Sequence, residues 1–379
     1  MKILEPVKFK NLELKNRLEW LPAVSLLADE EGYVTDELIA RHVARAKGGF
    51  GLIDVEATGV NARKSPKLLR ISDDKFIPGL KKMTDAVHEY GCKMTVQLIH
   101  YVKQSVKTGW KYPIEDFPIA NGEVGKDGVE DSIAAIKRDF VAAAIRAKEA
   151  GFDGIELHAA HGYTLSSFVS LLNKRKDQYG GNEEGRGRIV TEIIEECRKV
   201  LGPDYCIGVR ISGEEFVIGG NTIKHTPKLG QLFAKAGADF ISVSAGGKTE
   251  DGAWYKGYSG SRCMPPANLP EGCHVYLAEA MKNGLREIGS DVPVIVSGKI
   301  PSLEYGEDLL DKGICDIVGV CRPALADPDW ITKQVEGRQK EIQKCVYCNL
   351  CLEADQRHEP VICYVAEAKK KAMAAKAAK

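Results

Sequence analysis

The 379-residue sequence has no excess of either charge: Lys and Arg together number 53, and so do Asp and Glu. Without a basic surplus it gives no electrostatic case for a nucleic acid or an anionic membrane as partner. No secretory apolar region follows Met1-Lys2-Ile3-Leu4-Glu5-Pro6, and no apolar run approaches the length of a membrane span. A cytoplasmic protein is the expectation. No Gly-x-Gly-x-x-Gly follows any apolar run, so a dinucleotide fingerprint is missing. Gly247-Lys248-Thr249 imitates the end of a P-loop, but Ser242 stands where its first glycine belongs, and the stretch reads as loop chemistry. His158 and His161 have no His-Glu-x-x-His pattern around them, which argues against a metal at that pair.

What is present is material for a large core: hydrophobic residues make up 44% and charged residues 28%. An apolar, often β-branched run recurs at 18–24, 51–57, 93–99, 154–159, 206–212, 239–245, 293–299 and 316–322. Helical patterns lie between the runs. Those at 78–90, 131–150, 227–236 and 302–312 are each followed by glycine (Gly91, Gly151, Gly237, Gly313), and two of them open on proline. Continuous apolar strands indicate burial on both faces, hence a parallel sheet with helices outside. Eight such units predict a closed (β/α)8 TIM barrel, with a doubly wound sheet as the alternative. The Ala- and Lys-rich end is expected to be a frayed helical tail.

In such a barrel, catalytic groups gather at the carboxyl ends of the strands. Gln97 and His100 end the third run, His158 the fourth and Arg210 the fifth, with Ser297-Gly298-Lys299 ending the seventh and Arg322 the eighth. The stretch from Ile155 to Tyr163 begins as a buried strand and ends in two imidazoles and a phenol. A tight turn after His158 can bring His161 and Tyr163 to the same rim. Gly298 can let backbone N–H groups approach a phosphate, with Arg322 as the charge partner.

These residues, taken in order, resemble the old yellow enzyme family of FMN-dependent ene-reductases from about Leu4 to about Lys333. The resemblance rests on Glu5-Pro6-Val7, Asn11-Leu12-Glu13-Leu14-Lys15-Asn16-Arg17, Gln97-Leu98-Ile99-His100, His158-Ala159-Ala160-His161-Gly162-Tyr163, Val209-Arg210-Ile211-Ser212 and Arg322-Pro323-Ala324-Leu325-Ala326-Asp327-Pro328. It implies that Pro22, Ala23 and Ala57 contact the flavin edge. Gln97 would bond the pyrimidine part, Arg210 would lie near N1 and the C2 carbonyl, and Gly298, Lys299, Cys321 and Arg322 would cradle the phosphate. His158 and His161 would hold the carbonyl oxygen of an α,β-unsaturated substrate. Tyr163, a phenol protonated at neutral pH with an ordinary pKa of about 10, would donate the proton. Three departures stand out: Val24 where many relatives carry Thr or Cys, Cys321 where a glycine is usual, and Tyr101-Val102-Lys103 in place of Gly-Arg.

Eleven cysteines are many for a reducing compartment. Seven (Cys92, Cys197, Cys206, Cys263, Cys273, Cys315 and Cys321) are scattered and expected in the core. Cys345, Cys348 and Cys351 fall within seven residues, and Cys363 follows after eleven more. That 3+1 spacing favours a 4Fe-4S cluster over zinc, although spacing alone does not decide between them. The resemblance adds weight, since the branch containing 2,4-dienoyl-CoA reductase and trimethylamine dehydrogenase carries a similar segment after its barrel. The expectation is thus a barrel over 1–337 and a cluster segment with tail over 338–379, without the nucleotide-binding domains of that branch. Either NAD(P)H reduces the FMN directly, or a separate electron-donor protein does so through the cluster. Reduction of an unsaturated carbonyl compound is the expected activity; the alternatives are a trimethylamine-type amine dehydrogenase and a non-catalytic electron-transfer subunit. Oligomeric state, a homo-oligomer included, stays open.

Overall fold

The computed structural model describes residues 1–63, 65–101, 130, 132–248, 250 and 260–377. Val102, Lys103, the expected pocket loop 103–128, Asp131, Thr249 and part of the loop 246–272 lie outside the described residues.

Eight parallel strands close into a barrel: β1 (Leu18–Trp20), β2 (Leu52–Gly59), β3 (Lys93–Ile99), β4 (Gly154–Ala159), β5 (Cys206–Ser212), β6 (Phe240–Ser244), β7 (Val294–Val296) and β8 (Ile317–Val320). Each pairs with its neighbour in sequence, and β8 returns to β1 with Val318 opposite Leu18 and Val320 opposite Trp20. Closure bears out the (β/α)8 expectation and removes the doubly wound alternative. The runs at 93–99, 154–159 and 206–212 are strands over their full length. The first, seventh and eighth stop early. Pro22 has no N–H to continue the ladder after β1, and Gly298 after β7 is left-handed at φ 107°. The chain therefore leaves the sheet at the very residues expected to meet a ligand.

Helices cover the outside, most of them pinned by their ends. The side chains of Thr35, Ser132, Asn182 and Ser302 accept from backbone N–H groups of the first turns of Asp36–Lys47, Ile133–Glu149, Glu183–Leu201 and Leu303–Asp311. Pro78 sits in the first turn of Ile77–His88 and Pro227 in that of Thr226–Ala236, which ends on left-handed Gly237. Between helices and strands runs one continuous apolar core that includes Phe50, Met83, Phe140, Ile193 and Phe233.

A second core plugs the amino end of the barrel. The antiparallel hairpin of Val7–Phe9 and Leu12–Leu14 packs Leu12 and Leu14 against Leu52, Cys206, Phe240, Ile295 and Ile317. The ring of Phe9 meets that of Phe240 edge-on at 6.2 Å. With that end sealed, the carboxyl ends of the strands form the open mouth. Residues from 338 onward pack across it through Leu350–Gln356, while Val361 N donates to Ser25 O at 2.8 Å and Arg41 Nη1 to Val361 O at 2.8 Å. The tail is the helix Tyr364–Ala377. Among the described residues no helix is long and apolar enough to cross a membrane.

The plug gives a stability prediction. A Cβ on Gly208 of β5 would stand 2.0 Å from the ring of Phe240. Gly208→Ala should therefore destabilise the fold by about 1–3 kcal/mol, seen as a lower urea midpoint with an unchanged slope. A midpoint equal to wild type would show that Phe240 does not fill that space.

Candidate active site

The mouth of the barrel holds a cavity of about 1160 Å³, its open part included. Its wall contains every barrel residue that the resemblance singles out: Pro22, Ala23, Ala57, Gln97, His158, His161, Tyr163, Arg210, Gly298, Lys299, Cys321 and Arg322. They come from seven of the eight strand ends, so no local stretch of chain could build the site.

Local geometry explains each placement. Ala57 lies in a register irregularity of β2 between Val55 and Thr58, and such a bulge re-aims a side chain at a barrel rim. After β4 the chain turns through two left-handed residues, His161 at φ 63° and Gly162 at φ 77°. A left-handed histidine is uncommon and is held here by its surroundings. His161 N donates to Ser212 Oγ at 3.2 Å, its Nε2 lies 2.7 Å from Ser244 Oγ, and its carbonyl accepts from Lys248 N at 3.2 Å. The turn thus brings the three polar tips together, with the ring of His158 at 5.1 Å from that of His161 and 5.2 Å from that of Tyr163.

Electrostatics fix the protonation states. Burial, then the Arg210 guanidinium, holds His158 well below the usual imidazole range; His161 is held down by burial, then by His158 and Arg210. Both rings are neutral at neutral pH, and each keeps one N–H to donate. Nδ1 of His158 is buried with no protein partner. Arg210 Nη1 is braced by Ser242 Oγ at 2.6 Å, and Gln97 Nε2 donates to Glu156 Oε1 at 2.6 Å.

Several details depart from the sequence reading. Lys299 is left-handed at φ 59°, and its ammonium donates to the carbonyls of Pro266 and Ala267 at 3.2 Å and to that of Leu269. It therefore offers the cavity backbone rather than charge. His100 does not line the cavity; it bridges Asn61 and Thr164, each at 3.2 Å. Of the seven scattered cysteines only Cys92, Cys197, Cys206 and Cys315 are fully buried, while Cys263 and Cys321 face the cavity. Val24 is half-buried, lining the cavity while it packs on an apolar cluster of Leu26, Leu325, Cys351 and Val361. Tyr101 sets its ring against Tyr163 with centroids 6.3 Å apart.

Sequence reasoning missed four groups. Lys248, set aside as loop chemistry, places Nζ 3.9 Å from the ring centroid of Tyr163. Asp355 reaches the cavity from the cysteine segment, and burial pushes it up to about 6. Asn349 accepts from Arg322 Nη1 at 2.7 Å, and Tyr347 lies beneath both Lys299 and Arg322 at 4.6 and 4.8 Å. The last group consists of Glu19, Asp54 and Glu156 inside the barrel; the available signal was an acid set between apolar residues in three of the runs.

Cys345, Cys348, Cys351 and Cys363 surround a second cavity beside the first. The two share Arg322, Leu325, Tyr347 and Cys351 as a common wall. Tyr347 N donates to Cys345 Sγ at 3.4 Å.

Over residues 2–341 the sequence matches the NADH:flavin oxidoreductase / NADH oxidase family. It is 38% identical over 349 residues to the NADH oxidase of Thermoanaerobacter brockii, spanning 90% of this chain and 52% of that protein. A 2-naphthoyl-CoA reductase, solved in complex with 2-naphthoyl-CoA, superposes with a TM-score of 0.81 at 25% identity, over 96% of this chain and 56% of the other. Histamine dehydrogenase from Rhizobium sp. 4-9 superposes with a TM-score of 0.78 at 27% identity, over 95% of this chain and 51% of the other. The chain thus spans about half the length of these relatives. With a match that runs through every strand of the barrel and both histidines of its rim, this chain belongs to the NADH:flavin oxidoreductase / NADH oxidase family, in keeping with its resemblance to the old yellow enzymes.

Proposed function

We propose that the chain binds FMN at the barrel mouth and a 4Fe-4S cluster at Cys345, Cys348, Cys351 and Cys363, and reduces the C=C bond of an α,β-unsaturated carbonyl compound. The observation that carries this reading is the convergence of His158, His161 and Tyr163 in one cavity with Gln97 and Arg210. The residues fit FMN chemically: an amide and a guanidinium suit the polar edge of an isoalloxazine, and Leu21, Pro22, Val24 and Met264 give apolar walls. Left-handed Gly298, where a Cβ would lie 2.7 Å from His274, frees backbone for a phosphate beside Arg322.

FMN held by Gln97, Arg210 and the side of the cavity with Gly298 and Arg322 would supply the hydride chemistry. The protein does the rest. Neutral His158 and His161 donate hydrogen bonds to the substrate oxygen as it gains negative charge, in a buried setting where such bonds are strong. Tyr163 Oη gives its proton to the α-carbon, and Lys248 on the ring face stabilises the phenolate that forms.

The cysteines support iron and sulfide over zinc. Structural zinc is more often held by paired Cys-x-x-Cys knuckles than by this spacing. The four thiols line one cavity in a 3+1 arrangement, Cys345, Cys348 and Cys351 followed by Cys363, which suits a cubane cluster. Because the two cavities share a wall, a cluster held by these cysteines would lie beside the flavin site and could supply it with electrons, with NAD(P)H or a separate electron-carrying protein as their source. An NADH oxidase among the relatives favours nicotinamide. The same proposal assigns 1–337 to the flavin barrel and 338–379 to the cluster segment.

Amine oxidation is the second reading, favoured by the likeness to histamine dehydrogenase. The cations at the site weigh against it, because Arg210 and Lys248 repel an ammonium substrate and favour a substrate that gains negative charge. The 2-naphthoyl-CoA held by the other structural neighbour is an acyl thioester, and thioester carbonyls conjugated to C=C bonds head the substrates to be tried.

Three outcomes follow. Tyr163→Phe should slow reoxidation of the photoreduced flavin by an enone by about 10²–10⁴-fold while flavin reduction proceeds; equal rates would take the acid role from Tyr163. Burial brings Lys248 down to about 7. Its charge, and its help to the phenolate, are present below that pH and lost above it. The reoxidation rate should accordingly fall roughly tenfold as pH rises through about 7, and Lys248→Met should give a flat, slow profile. A wild-type profile in the variant would separate Lys248 from proton delivery. Anaerobically isolated protein should contain about four iron atoms per chain with acid-labile sulfide, and Cys345→Ser should lose them; zinc without sulfide would remove the cluster.

A further inference from the structure

The turn that carries the cysteines holds two left-handed residues that the reaction scheme does not use: Tyr347 at φ 55° and Asn349 at φ 60°. Asparagine tolerates that region, but a bulky aromatic there is an outlier that persists only where its surroundings hold it. Both residues reach the same neighbour. Asn349 Oδ1 accepts from Arg322 Nη1 at 2.7 Å, while its Nδ2 donates to Met264 O at 3.0 Å. The guanidinium carbon of Arg322 lies 4.8 Å from the ring centroid of Tyr347, and the ammonium of Lys299 lies 4.6 Å from the same centroid. Tyr347 N donates to Cys345 Sγ at 3.4 Å, so one turn sets both the ring and a thiol. The ring belongs to the wall that the two cavities share.

Two cations against one ring repel each other. A carboxylate between them would relieve the repulsion, but it would also cancel the charge that an anionic ligand needs. An aromatic face attracts a cation without carrying net charge, and an amide oxygen accepts from it on the same terms. Arg322 is 6% exposed, and among the described residues it pairs with no carboxylate. The ammonium of Lys299 donates to the carbonyls of Pro266, Ala267 and Leu269, so the N–H groups left for a ligand belong to Arg322. We infer that Tyr347 is a positioning residue for the phosphate end of the flavin cofactor: its ring and the Asn349 amide hold the Arg322 guanidinium by its face and one edge and leave its charge uncancelled. The inference rests on the proposal that the FMN phosphate lies beside Arg322. It makes the cysteine segment part of the flavin site, since both holding groups lie between Cys345 and Cys351 in the chain. Because the hold acts through the phosphate alone, it favours FMN over riboflavin, which has none.

The test is titration of the deflavinated full chain with FMN and, separately, with riboflavin, read by quenching of flavin fluorescence. Tyr347→Leu keeps a side chain at the left-handed position and removes the aromatic face. It should weaken FMN binding about tenfold and leave riboflavin binding as in wild type. Tyr347→Phe keeps the face and should bind both flavins as wild type does. Tyr347→Gly suits a φ of 55° and should show the same selective loss, so it decides if Tyr347→Leu does not fold. A wild-type ratio of FMN to riboflavin affinity in either variant without the ring would overturn the inference. Equal weakening of both flavins would also overturn it, since Tyr347 would then shape the cavity at large, and so would a loss in Tyr347→Phe as great as in Tyr347→Leu, which would assign the effect to the hydroxyl. A wild-type chain that takes up neither flavin overturns the functional proposal itself. One that binds riboflavin as tightly as FMN overturns the placement of the phosphate, and the role of Tyr347 with it.

Discussion

The pairing of β8 with β1 is the contact on which the rest of the molecule depends. Val318, Gly319 and Val320 join Leu18, Glu19 and Trp20 from opposite ends of the barrel sequence. Their union sets Pro22 and Ala23 beside Cys321 and Arg322 in one wall. Without closure, the first and last strand ends would be edges of an open sheet, and no single cavity could collect residues from both. The same closure gives the cysteine segment its seat. Arg322 leaves β8 and bonds Asn349, which donates to Met264 O at 3.0 Å, so the segment is tied to the flavin side of the rim by the residue expected to meet the phosphate.

Charge is distributed by depth. Around the mouth lie Arg210, Lys248 and Arg322, with two imidazoles that burial keeps neutral. Below them, inside the strands, lie three buried carboxyls, and burial opposes ionisation of two of them, Glu19 and Asp54. In a low-dielectric interior these groups act on each other strongly. A site arranged this way favours negative charge that develops at its mouth, as on an enolate oxygen, and disfavours a cationic ligand. Ser212 and Ser242 accept from His161 N and Arg210 Nη1, and Ser244 bonds the His161 ring, so these groups are held in place before any substrate arrives.

Much of this was legible in the sequence where physics is local. Runs such as 154–159 and 206–212 are strands along their whole length because each is apolar enough to be buried on both faces. Prolines and glycines marked helix ends because they act on their own backbone. The strands cut short at Trp20 and Val296 show where that reading fails: an apolar run continues past the point where a proline or a left-handed glycine takes the chain out of the sheet. The barrel residues to which the resemblance gives a role all lie in the cavity wall, whereas His100 of the same pattern does not. Residues without a family pattern were not seen, because their meaning depends on contacts across the barrel. Lys248 matters through its place over Tyr163, and Glu156 through its bond to Gln97. The hold on the Lys299 ammonium was not visible for the same reason, since the carbonyls that take it come from the loop before the preceding helix.

The central claim is that the barrel mouth delivers an electron pair and a proton to a C=C bond beside a carbonyl. Its most direct test is anaerobic mixing of the photoreduced, FMN-loaded chain with a series of enones, enoates, acyl-CoA thioesters and alkylamines, following flavin absorbance and product together. The account predicts stoichiometric flavin reoxidation with one C=C bond saturated per flavin for at least one unsaturated carbonyl compound. It is contradicted if the reduced flavin persists with every such compound while the oxidised flavin is reduced by an amine.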